Sequence, residues 1–230
     1  MTMTLPPVAA VEITAGDGAI LRGQLWAGTA SWIVLLHDQG EGEDLDRWAP
    51  LLPPLAARGW SVLTVDLRGH GASDGNWDPA QAGADVATLV RFARVQGAGY
   101  VAVGGAGAGA IAALESAAAT RAGALVLLSP SLPAEQPLTG PRGTGEAKLI
   151  IVGGGDATAR AGAERLGRAA IGWVVLVNLP TAEQGTAMLR GAVAPHLSEH
   201  VVGFLAEQRF LASRRSGRAP PIGGVSQIDR

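Results

Sequence analysis

The chain has 230 residues, 47% of them hydrophobic, with 18 Lys and Arg set against 20 Asp and Glu for a formal charge of -2. That is enough apolar material for one full core, and so even a charge balance excludes a basic face for nucleic acid or anionic lipid. The absence of cysteine excludes disulfides, thiolate metal sites and a cysteine nucleophile.

Residues 1–10 read as an N-terminal extension without a basic and then apolar leader pattern, and no apolar run spans a bilayer, so a soluble cytoplasmic protein without membrane insertion is expected. Residues 11–211 read as one domain. Val11 to Thr14 and Ile20 to Trp26, joined by Gly16-Asp17-Gly18, predict a hairpin. Apolar runs at Trp32 to Leu36, Ser61 to Asp66, Tyr100 to Val103, Ala124 to Leu128, Lys148 to Val152 and Trp173 to Leu179 predict buried parallel strands. Between them, Val86, Leu89, Val90 and Ala93 have helical spacing, with Asp78 as N-cap and Pro79 opening the helix. Pro53 and Pro54 interrupt Trp48 to Arg58, so a helix starts or kinks there. Leu197, Val201, Phe204 and Leu205 stripe the last helix, leaving His196 and His200 solvated. Residues 212–230, with Arg214, Arg215, Arg218 and Pro220-Pro221, predict a flexible tail. The whole is an α/β fold: a mostly parallel, doubly wound sheet with an N-terminal antiparallel hairpin and no insertion after Ser129 large enough for a cap domain.

The stretch from Ile33 through His37, Asp38 and Gly40, then Trp48, Gly59-Trp60 and Asp66 to Gly75 with Arg68, Gly69, His70 and Gly71, followed by Ser129-Pro130 and Gln184-Gly185-Thr186, resembles the α/β-hydrolases. The likeness is to their small cap-less, dienelactone-hydrolase-like esterases, and it covers most of residues 11–208. The resemblance implies a strand leading into Gly-x-Ser-x-Gly, a turn that presents a serine oxygen above the sheet. Here that turn is Gly105-Ala106-Gly107-Ala108-Gly109. Gly107 stands at the nucleophile position and Gln184 at that of the base histidine, where an amide cannot shuttle a proton. Asp156 matches the family's acid, and Gln184 is expected to donate to it. His37, Asp38 and Ala108 form the oxyanion-loop region, where the family has glycine at position 38 and the Asp38 carboxylate would repel a developing oxyanion. Asp66, Arg68, Gly69, His70 and Gly71 read as a loop-stabilising fold signature.

Losing a serine nucleophile costs about 10⁶ in turnover, so the residues predict a pseudoenzyme: a non-catalytic α/β-hydrolase-fold scaffold that binds another protein, for instance through residues 212–230. Trp26, Trp48 and Trp77 are candidates for a partner surface. Two alternatives stand beside it. One is a small-molecule sensor using the altered cleft; the other is an atypical esterase, for which Ser129 or Ser131 would need a nearby base. Gly105-x-Gly107-x-x-Ala110 also fits a dinucleotide fingerprint, but Ser129 and Ser131 occupy the neighbourhood where it needs an acidic residue. No cofactor or metal is expected.

Overall fold

The computed structural model describes residues 7–132, 145–215 and 217. Eight strands form one sheet: β1 (Val8–Thr14), β2 (Ile20–Trp26), β3 (Ser31–Leu36), β4 (Ser61–Val65), β5 (Tyr100–Ala106), β6 (Ala124–Leu128), β7 (Ala147–Gly153) and β8 (Val174–Leu179). Their order is β1-β2-β4-β3-β5-β6-β7-β8. The β1–β2 and β2–β4 pairings are antiparallel and the remainder parallel. The first strand opens at Val8, inside the segment read as an extension.

Alternate side chains of a strand point to opposite faces, and this alternation divides the core. Val34 and Leu36 join one cluster with Val86, Leu89 and Val90 of α2 (Pro79–Val95) and Leu166 of α5 (Ala157–Ala169). Ile33 and Leu35 join the other, with Leu55 of α1 (Leu52–Ala56) and Leu197, Val201 and Leu205 of α6 (Ala194–Arg215). Two short helices, α3 (Gly107–Glu115) and α4 (Ala117–Thr120), follow β5. Helices therefore cover both faces, and the doubly wound reading stands.

Pro53 and Pro54 do not kink a long helix. A 3-10 helix over Leu45–Leu51 hands the chain to the five-residue α1, whose first turn holds both prolines where their missing N–H groups cost nothing. Asp78 caps α2 through Ala80 N, ahead of Pro79. Trp26 and Trp48 are buried and offer no partner surface. Helix α6 continues to Arg215; residues 218–230, and with them most of the segment read as a tail, lie outside the described residues. So do residues 133–144 of the segment read as too short for a cap. No helix among the described residues is long and apolar enough to cross a membrane.

Candidate active site

The strand order reverses at β3, which pairs with β4 on one side and β5 on the other. Such a reversal opens a crevice at the carboxyl ends of the strands. Leu36 is opposite Gly105 across the β3–β5 pair, and two residues beyond each member of that pair the chain brings Asp38 against Gly107, the first residue of α3.

That encounter organises the site. Gly107 has φ +53, and a Cβ placed on it would overlap the carboxyl carbon and both oxygens of Asp38. The left-handed conformation suits glycine, and the space that an elbow side chain would fill is held by the Asp38 carboxylate. Asp38 Oδ1 accepts from Ala108 N at 2.7 Å and from Gln39 N at 2.8 Å. The carboxylate thus sits on the first turn of α3, where the unpaired N–H groups favour an anion. It fills the position that a pyrophosphate would need under the dinucleotide reading. The glycines there serve packing instead: a Cβ on Gly105 or Gly109 would strike the backbone of Gly109 or of His37.

His37 is fully buried. Its Nε2 accepts from Leu67 N at 2.9 Å, so Nδ1, 2.6 Å from Asp38 O, carries the proton and donates. Burial pushes its pKa below the ordinary 6.5. The ring fixes the backbone on which Asp38 rides. Asp66 accepts from Leu45 N and Ala72 N at 2.9 and 2.8 Å. Arg68 donates to Asp85 at 2.7 and 3.0 Å and to Asp17 at 2.8 Å. His70 Nε2 accepts from Gly40 N at 3.1 Å. Gly69 and Gly71 both have positive φ. This loop braces the crevice and does not line it.

Asp156 caps α5, accepting from Thr158 N at 2.9 Å and Ala159 N at 3.0 Å. Gln184 does not donate to it. Its Nε2 donates to Gly153 O at 2.9 Å, while Oε1 accepts from Ser129 Oγ at 2.6 Å and Gly153 N at 3.2 Å. Ser129 has φ +43, a strained conformation for a side-chain-bearing residue, and its hydroxyl also accepts from Gly185 N at 2.9 Å. With an amide as its acceptor, Ser129 has no base to activate it among the described residues.

Asp38, Ser129, Asp156 and Gln184 line one cleft of about 300 Å³, together with Glu43. Glu43 escaped the reading of the sequence. Its side chain is 22% exposed, Oε1 lies 3.4 Å from Arg47 Nε, and Oε2 is buried without a hydrogen-bond partner. Burial, and then the nearby Asp38 carboxylate, push its pKa above the ordinary 4.5 against the pull of Arg47. Arg190 donates to Arg47 O at 2.8 Å and Asp46 O at 3.0 Å, tying the Glu43 segment across the cleft. The sequence signal was present in the acidic run Glu41 to Asp46 directly after Asp38. Among the described residues no cluster of His, Asp and Glu could hold a metal ion.

Residues 29–152 match the family model described as serine aminopeptidase, S33. No curated protein matches the chain. Among solved structures, the esterase Pf2001 of Pyrococcus furiosus is 20% identical with a TM-score of 0.70, covering 87% of this chain and 92% of that one. XC6422 of Xanthomonas campestris, described as a serine hydrolase without lid, is 19% identical at TM-score 0.67, covering 95% and 100%. An esterase of Exiguobacterium antarcticum is 16% identical at TM-score 0.70, covering 86% and 100%. At these identities the structures share the fold, and XC6422 is the one of the three described as having no lid. The family match, alongside relatives described as esterases, overturns the expectation of an inactive pseudoenzyme serving as a protein-binding scaffold. What that expectation took for a vacated centre is a cleft lined by the carboxylates of Asp38, Glu43 and Asp156, the first of them against the elbow. By fold, by its strand-to-helix elbow and by the family model over residues 29–152, this chain belongs to the S33 serine aminopeptidase family of α/β-hydrolases.

Proposed function

We propose that this chain is an atypical hydrolase of small esters, in which Asp38 acts as general base on water and Glu43 as general acid. One observation carries the reading: the Asp38 carboxylate occupies the space that a side chain at Gly107 would fill, at the point where the family presents its attacking group. Oδ1 is fixed by two backbone N–H groups, leaving Oδ2 to take a proton. In the step proposed, Oδ2 removes a proton from water as the water oxygen bonds to the ester carbonyl carbon. The Ala108 N–H, spent on Asp38, is not available to the carbonyl oxygen, and a protonated Glu43 serves it instead. Collapse breaks the acyl C–O bond; the leaving oxygen takes the Glu43 proton, and the proton on Asp38 returns Glu43 to its acid form. Ester and water give acid and alcohol, with no covalent intermediate. Groups so placed contribute on the order of 10²–10⁴ each, so the rate is modest beside a serine esterase.

Initial rates on p-nitrophenyl esters from acetyl to octanoyl test this. Asp38→Asn removes the base and brings the rate down to that of buffer. A rate lost with Ser129→Ala and kept in Asp38→Asn would overturn the assignment, as would the absence of turnover on every ester.

A further inference from the structure

At the opposite end of the sheet, the amino ends of β5 to β8 and the last turns of α6 enclose an open groove of about 710 Å³. This is within the size range of small-molecule sites. Two residues of its lining each carry a buried polar atom without a partner among the described residues, the Tyr100 hydroxyl and Gln208 Nε2. Gln208 is only 8% exposed. Buried donors are almost always satisfied, so two orphans in one groove call for an acceptor from outside. Burial pushes the Tyr100 phenol well above its ordinary pKa, keeping it a donor, and the ring is held edge-on to Trp60, their centroids 5.9 Å apart. Apolar surface adjoins these donors: Trp173 is 49% and Leu211 37% exposed, and Trp173 packs 6.2 Å from Phe204, centroid to centroid. At the rim Glu207 and Arg215 have opposite signs, so neither an anion nor a cation is selected.

We propose that this groove binds a neutral, flat, amphipathic molecule, its carbonyl oxygen accepting from Gln208 Nε2 and the Tyr100 hydroxyl while its apolar part lies against Trp173 and Leu211. The site is independent of the hydrolytic cleft. Acetanilide, an aromatic ring carrying an amide carbonyl, is the probe, and propylbenzene, which drops the amide, is its control. Titrated into ¹⁵N-labelled full-length protein, acetanilide shifts the Gln208 side-chain amide and the Trp173 indole signals saturably. Propylbenzene binds about 10- to 100-fold more weakly, the worth of two net hydrogen bonds. Gln208→Met, similar in length, costs acetanilide about 3- to 10-fold, the worth of one, and Tyr100→Phe weakens it by a similar factor. Because Gln208→Met removes an unpaired buried donor, its melting temperature is unchanged or higher. The proposal is overturned if acetanilide leaves both signals unmoved up to its solubility limit, if propylbenzene binds equally well, or if Gln208→Met melts lower, which would mean that the amide is already paired within the protein.

Discussion

At the scale of the residue, Gly107 and Asp38 form one substitution made in two places. A serine at 107 would need both a left-handed backbone and the volume now held by the carboxylate. Gly107→Ser alone is therefore expected to destabilise the protein by about 2–4 kcal/mol, the sum of overpacking and backbone strain. Adding Asp38→Gly recovers the overpacking part, so a double-mutant cycle from denaturant unfolding returns a coupling well outside additivity. Additive effects would mean that the two residues do not compete for one space. The absence of a nucleophile at 107 and of a base at 184 was legible letter by letter. That Asp38 fills the gap was not, because its neighbour across the sheet is set by the β3–β5 register, which no local pattern encodes. Glu43 was missed for a related reason: among charged loop residues, only burial distinguishes it from Glu41, which is exposed.

At the scale of the element, caps and turns were the readable features and long-range partners were not. Asp78-Pro79 announces α2, and the prolines at 53 and 54 announce an interruption, because these signals act within a turn or two. Asp156 looks like a triad acid in the sequence, yet its oxygen is engaged by the first N–H groups of α5. Asp156→Ala is accordingly expected to cost about 1 kcal/mol of stability, the worth of an N-cap, and to leave ester turnover intact; loss of turnover without loss of stability would restore a catalytic role. β7 holds a second surprise. Its Lys148 is fully buried and ion-paired at 2.9 Å with Glu146, in a strand whose sequence reads as continuous core. Glu146→Leu alone removes the counter-charge of an ammonium that still donates to the Glu146 and Ile171 carbonyls and should destabilise by up to about 3–5 kcal/mol, whereas Glu146→Leu with Lys148→Met removes the buried charge as well, at the cost of the donor to those two carbonyls, and should recover part of that loss. Thermal melts of the single and double variants decide between the two.

At the scale of the whole molecule, the alternation of Ile33, Val34, Leu35 and Leu36 between two cores fixes a sheet covered on both faces, and this was legible because period-two burial and βα alternation are local patterns repeated along the chain. The same sheet joins stability to the site. His37 stays neutral in the folded state because burial lowers its pKa, while in the unfolded chain it titrates near 6.5. Its contribution to stability is complete above that value and is lost as the pH falls from there toward the lowered one, since the unfolded chain then binds the extra proton. Denaturant midpoints should fall as the pH is lowered below about 6.5, and the fall should be smaller in His37→Gln; an identical fall in the variant would assign it elsewhere.

The pH dependence of kcat/KM for a p-nitrophenyl ester bears most directly on the two-carboxylate site. Asp38 must be ionised and Glu43 protonated, and the Glu43 pKa is held above its ordinary 4.5, so the rate is greatest on the acid side, declines as the pH rises through that raised value, and is lost in Asp38→Asn. A rate that instead climbs from acid toward neutral pH, or one that Asp38→Asn leaves standing, would contradict the assignment.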